Sequence, residues 1–76
     1  MARYYFDIRD GVYRADVRGT DFPSLEDAKI EACKRIGTLL QSNSEKFVGS
    51  DGWNIEVKDP DGVVLFHVAI SSSVAG

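Results

Sequence analysis

The 76-residue chain predicts an α+β domain: a ββ-α-ββ arrangement, with an antiparallel sheet of two hairpins and one helix packed on one face. Three observations carry this reading. Residues 3–9 and 53–58 alternate between apolar and polar side chains with period 2. Asp10-Gly11 and Asp59-Pro60-Asp61-Gly62 have the chemistry of tight turns. Between the two, residues 25–40 carry an apolar stripe at helical spacing.

The first hairpin starts at residues 3–9, where Tyr4, Phe6 and Ile8 share one face and Arg3, Tyr5, Asp7 and Arg9 the other. Asp10-Gly11 suits a two-residue turn, whose central positions both need positive φ. That turn sets Arg9 opposite Val12, Ile8 opposite Tyr13, Phe6 opposite Ala15 and Tyr4 opposite Val17, with residues 12–18 as the second strand. On the solvated face Asp7 then meets Arg14 and Tyr5 meets Asp16, so turn chemistry and face pattern agree on one register.

Residues 19–23 break the strand. Ser24 is placed to cap a helix, with Asp27 at the reciprocal position of a capping box and two acids in the first turn. The buried stripe is Leu25, Ala28, Ala32, Ile36 and Leu39, with Cys33 and Leu40 on its edge and Ile30 well off it. Gly37 lowers helix propensity by about 1 kcal/mol relative to Ala, and marks close packing or an early end. Residues 41–52 read as a long, mobile polar loop with Phe47 and Val48 embedded.

In the second hairpin Trp53, Ile55 and Val57 point inward, and residues 63–70 form the last strand. An even-numbered loop sets Val57 opposite Val64 and Ile55 opposite Phe66, with Val68 and Ile70 also under the helix and His67 outward. A three-residue loop with a bulge at Gly62 gives the other parity and turns His67 inward. The first is the expected register, because it puts the bulkier set beneath the helix. Residues 71–76 read as a frayed tail.

Length and composition exclude several functions. The chain is long enough for a single domain, residues 1–76, and a chain of this size buries only about 60% of its unfolded surface. With 43% hydrophobic and 28% charged residues it is globular rather than disordered. One cysteine forbids an internal disulfide. Residues 63–70 are too short an apolar run to span a membrane, and Met1-Ala2-Arg3-Tyr4 lacks a signal-peptide apolar region, so a cytoplasmic location is expected. A net charge of −3 argues against a general phosphate-binding surface.

No cofactor or metal is expected, and no catalytic residue is assigned. His67 stands alone mid-strand with no nucleophile tied to it by a motif, and reads as a surface or interface histidine. Cys33, without a second cysteine or a nearby His, reads as a small buried hydrophobe. Asp59, Asp61 and Gly62 resemble the opening of a calcium loop, but Val63 to Phe66 supply no oxygen ligands, and a hairpin turn accounts for them. The glycines form no phosphate-binding loop.

Two surfaces remain. The last strand is apolar on both faces, whereas one helix covers only one face of a sheet. Tyr5, Val63, Leu65, His67 and Ala69 therefore form a candidate interface, for a second copy of the chain or another protein. Arg3, Arg9, Arg14 and Arg18, with Tyr5 among them, form a candidate nucleic-acid face, although Asp7 and Asp16 offset about half of its charge. The first surface predicts a small interaction or regulatory module, and the second predicts a nucleic-acid binder.

The motifs also carry a resemblance. Arg3-Tyr4-Tyr5-Phe6-Asp7-Ile8-Arg9-Asp10-Gly11 resembles the "RYFFDVxDG" start of a family of short uncharacterised alphaproteobacterial proteins. Gly19 to Ala28 is similar to that family's "GxxxPxLExA" segment, and Val57 to Gly62 to its closing "VxDxxG" hairpin. The resemblance covers nearly the whole chain, departs from the family by a longer polar stretch at 41–52, and implies a small cytoplasmic bacterial protein with no activity to transfer. A weaker likeness, on Gly19 and Ser24-Leu25-Glu26-Asp27-Ala28, is to HicB-type antitoxins and implies fold alone.

Overall fold

The structure, a computed structural model, describes residues 1–75. The elements in chain order are β1 (Ala2–Arg9), β2 (Tyr13–Arg14), β3 (Thr20–Phe22), α1 (Leu25–Ser42), α2 (Ser44–Val48), β4 (Trp53–Lys58) and β5 (Val64–Ile70). They build the expected α+β fold, an antiparallel sheet of order β2-β1-β4-β5 with α1 across one face. The fifth strand, β3, shares the outer edge of β1 with β2.

The first hairpin differs from the expected register. Arg9 pairs with Tyr13 and Ile8 with Arg14, so the loop holds Asp10, Gly11 and Val12. A two-residue turn of the expected type needs positive φ at both centres, and only Gly11 has it. Asp10 instead turns inward and is buried, with Oδ2 3.4 Å from Arg14. The added loop residue flips the parity of everything after it. Tyr13 joins Arg9 on the outer face, and Ala15 and Val17 are exposed rather than packed on Phe6 and Tyr4. Pairing then resumes at β3, where Ala2, Arg3 and Tyr4 meet Phe22, Asp21 and Thr20. Phe22 stands edge-on to Phe6, with ring centroids 5.8 Å apart.

Helix α1 follows its expected stripe. Ser24 accepts the Asp27 backbone N–H at 3.3 Å and donates its hydroxyl to the Asp27 carboxylate at 3.1 Å. Ala28, Ala32 and Ile36 are buried against the sheet, and Arg35 stacks on Phe6, 4.1 Å from its ring centroid. Gly37 does not end the helix, which runs to Ser42. Cys33 is exposed rather than buried, because it lies about 100° round the helix from Ala32. The expected loop at 41–52 is largely helical. Phe47 anchors α2 in the core, edge-on to Trp53 at 5.2 Å.

The second hairpin combines both expected parities. Asp59 accepts from Gly62 and donates to Val63, which leaves a three-residue loop, Pro60, Asp61 and Gly62. Lys58 accordingly pairs with Val64. A bulge then skips Leu65, and parity is restored. Val57 pairs with Phe66, Ile55 with Val68 and Trp53 with Ile70, two residues along from the expected partners. The faces of Phe66, Val68, Ile70 and His67 are as expected, and His67 stands opposite Glu56 on the outer face. Val64 is the exception: the bulge sends it outward beside Lys58, 45% exposed.

Candidate functional site

The sheet face away from α1 contains a polar latch and an apolar edge. The latch is centred on Asp7, whose β1 position alternates with the core residues Phe6 and Ile8. Sequence alternation marks it as solvated, yet it is 4% exposed. Its Oδ2 accepts from the Tyr13 hydroxyl at 2.7 Å and the Lys58 ammonium at 2.6 Å. Its Oδ1 accepts the Asp16 backbone N–H at 3.0 Å. Tyr13 and Lys58 thus cover the carboxylate, and Arg9 stacks over the Tyr13 ring at 4.4 Å. The expected Asp7–Arg14 pair is absent because the register shift moved Arg14 to Asp10.

Asp16 completes the latch. Its carboxylate accepts the backbone N–H groups of Phe6 at 3.1 Å, Arg18 at 3.0 Å and Gly19 at 2.9 Å. The side chain therefore serves the middle of β1, between the stretches paired with β3 and β2. Burial pushes the Asp7 carboxyl up, but Lys58, the Asp16 N–H and Tyr13 together hold it below the usual carboxylate range. Asp16 behaves alike: burial opposes ionisation, and the three N–H donors with Arg35 outweigh it. The bond to Asp7 in turn raises Lys58 and Tyr13.

This arrangement is structural in its chemistry. Asp7 and Asp16 spend their oxygens on fixed donors, and the bonds to Tyr13 and Lys58 favour the protonated forms of both. Asp10 carries the one buried carboxylate oxygen without a partner among the described residues, and the Trp53 indole N–H is likewise unpartnered. Among the described residues no three His, Cys, Asp or Glu side chains gather as metal ligands. An open hollow of about 450 Å³ between α1 and β1, lined in part by Ile8, Glu31 and Arg35, holds none of the sequence-predicted site residues.

The candidate interface is placed as follows. Val63 is 55% exposed and Leu65 39%, and His67 and Ala69 are also exposed. These four lie in or beside β5, which has no strand on its far side among the described residues. Tyr5 does not join them. It sits on β1 opposite Lys58, with β4 in between, and is half-buried. Val64 takes its place beside Leu65, and the bulge that exposes it has no signature in the sequence. The latch was missed for a related reason: it depends on the loop residue that reversed parity after Asp10.

The candidate arginine face is partly engaged. Arg3 donates to Asp21 at 3.1 Å and to the Arg18 carbonyl at 2.9 Å. Arg14 pairs with Asp10, and Arg9 lies on Tyr13. In the β4–β5 turn, Asp59 Oδ1 accepts the N–H groups of Asp61 and Val63, so it acts as a turn cap. No helix among the described residues is long and apolar enough to cross a membrane. No curated protein and no solved structure matches the chain. One family model, described as a domain of unknown function (DUF6894), matches residues 3–71.

Proposed function

The chain belongs to the DUF6894 family, a domain of unknown function, and we propose that it is a small protein-interaction or regulatory module that binds through β5, as a homodimer or with a protein partner. The observation that carries this reading is the character of that edge. β5 is seven residues long and apolar throughout except for His67. Edge strands are ordinarily protected by Lys, Pro, bulges or inward charges, and past the bulge at Leu65 the stretch from Phe66 to Ile70 has none of these. The opposite edge of the sheet is formed by β2 and β3, two and three residues long, too short to offer the continuous backbone that β5 does. Val63, Val64 and Leu65 add an exposed apolar strip beside the free backbone.

The alternative, nucleic-acid binding through Arg3, Arg9, Arg14 and Arg18, has less support. Ion pairs and stacking hold three of these side chains against the protein's own groups.

The test compares the wild type with Leu65→Lys, which puts a charge on the strip at an exposed position. Sedimentation velocity at high micromolar concentration and affinity capture from the native host are run on both. The expected result is self-association or a stoichiometric protein partner for the wild type, and its loss in the variant. A monomeric wild type that captures the same proteins as Leu65→Lys overturns the proposal.

A further inference from the structure

The partner of β5 can be stated more closely, in an inference that rests on the reading above. We infer that β5 pairs antiparallel with β5 of a second copy, about a two-fold axis at His67, to make one continuous sheet across two chains. Three features of the edge point to its own copy.

The first is symmetry. In a two-fold antiparallel pair the axis runs perpendicular to the sheet, so both helices stay on the same face. Each residue must then meet one of the same facing, and the axis must pass through a residue rather than between two. His67 is the middle of the stretch Leu65–Ala69, and centring there pairs that stretch in matched facing, with Val64, turned outward by the bulge, and Ile70 beyond it. Phe66 then meets Val68 of the second copy, Leu65 meets Ala69, and His67 meets His67. Phe66 and Val68 are both half-buried on the helix side, and Leu65 and Ala69 are both exposed.

The second is charge. β5 contains no Asp, Glu, Lys or Arg, so self-pairing opposes no like charges along it. The antiparallel arrangement also carries the acidic turn, Asp59 and Asp61, toward Ser71, Ser72 and Ser73 of the second copy rather than toward its own equivalent. Each chain has a net charge of −3, so this separation of the acidic turns favours the antiparallel over the parallel pairing.

The third is room for the helices. α1 packs chiefly over β4, one strand in from the free edge. Strands lie about 4.8 Å apart. The axis lies half a spacing beyond β5, so each helix is one and a half spacings from it and the two helices are about 14 Å apart. That exceeds the 8–10 Å, roughly, of packed helices, so the pairing is free of helix clashes. The cleft between them is floored by Phe66, Val68 and Ile70 of both chains. The flank of α1 over β5 carries Lys29, 5.4 Å from the Phe66 ring, and the exposed Cys33 one turn on.

Cysteine cross-linking in the full chain tests the register, with Cys33→Ser as background. Across the axis, residue 67 meets its copy at a Cα separation of about 4.5–5.5 Å, within disulfide reach. Residue 69 is offset from its own copy by four residues, about 13 Å, which is out of reach. His67→Cys is expected to form a covalent dimer under mild oxidation at least about tenfold faster than Ala69→Cys, a contrast set by that distance. In the wild type, amide exchange in β5 should slow as protein concentration rises. A wild type that sediments as a dimer while His67→Cys fails to cross-link, or cross-links no faster than Ala69→Cys, overturns this register and leaves the interaction reading standing. A wild type that is monomeric at roughly several hundred micromolar, the scale of weak pairing, overturns the second copy as partner. The Leu65→Lys comparison then decides the interaction reading separately.

Discussion

The backbone N–H of Asp16 donates to Asp7 Oδ1 at 3.0 Å, and the Asp16 carboxylate returns the tie to β1 at the N–H of Phe6, 3.1 Å away. Two carboxylates thus perform what backbone pairing does elsewhere in the sheet. They hold the segment between β2 and β3 against a strand that it does not pair with directly. Removing either leaves donors without an acceptor, which costs more than the loss of one average bond. Asp7→Ala should lower the stability to urea by about 2–4 kcal/mol, since Lys58 and two further donors lose their partner. Asp16→Ala should cost about 1–3 kcal/mol. The double variant should cost less than the sum, because the two share one latch. Strict additivity in urea titrations would separate the two carboxylates.

Acid should weaken the same latch. Asp7 and Asp16 both titrate lower in the folded chain than in the unfolded one, where aspartate titrates at about 3.9. A depressed folded value contributes stability that is fully present above the unfolded value and is lost as pH falls through the folded one. Urea midpoints should be flat from about pH 7 to 5 and fall below about pH 4. Asp7→Asn should be less stable at neutral pH and should show a shallower acid decline. An unchanged acid slope in that variant would remove Asp7 from the account.

Gly37 and Gly19 should respond to alanine in opposite directions. Gly37 is an exposed position within α1, and an added Cβ meets nothing within 4 Å. Gly37→Ala should stabilise by about 0.5–1 kcal/mol, raising Tm by several degrees, about 4–8 °C per kcal/mol in a domain of this size. Gly19 has φ +72°, and an added Cβ would lie 2.7 Å from Arg3 Cγ and 2.9 Å from Tyr5 Cε2. Gly19→Ala should destabilise by about 1–3 kcal/mol, from backbone strain and displacement of both side chains. Thermal melts of the two variants check both signs.

Phe47 tests whether the segment after α1 belongs to the core. It is buried and stands edge-on to Trp53. Phe47→Ala should cost about 3–5 kcal/mol and shift the emission of the single tryptophan as its surroundings open to water. A mobile polar loop, as the composition of residues 41–52 suggests, would give less than about 0.5 kcal/mol, the usual effect of an exposed position.

Much of the fold was legible because its signals are local. The apolar stripe of α1, the Ser24 cap, and the alternation of Tyr4, Phe6 and Ile8 and of Trp53, Ile55 and Val57 each depend on residues a few positions apart. Residues 41–52 are not legible in this way, because their polar composition outweighs the single anchor, Phe47. Val63, Leu65, His67 and Ala69 were legible as exposed, since a second apolar face on the last strand has no helix to cover it. Tyr5 was not, because it shares alternation with that surface but not its position in the sheet.

By itself the sequence determined the α+β class, the capped helix, the inner faces of β1 and β4 and the apolar character of β5. Only the tertiary structure decided the register of both hairpins, the strand order that leaves β5 at the edge, and the burial of Asp7. The reason is physical. A face pattern has period 2, so one residue added in a loop or bulge reverses it without altering the composition of either strand. At Asp10–Val12 that residue stayed, and Asp7 gained Tyr13 and Asp16. At Leu65 a bulge compensated for the three-residue turn, and Phe66, Val68 and Ile70 kept the faces that their sequence implied.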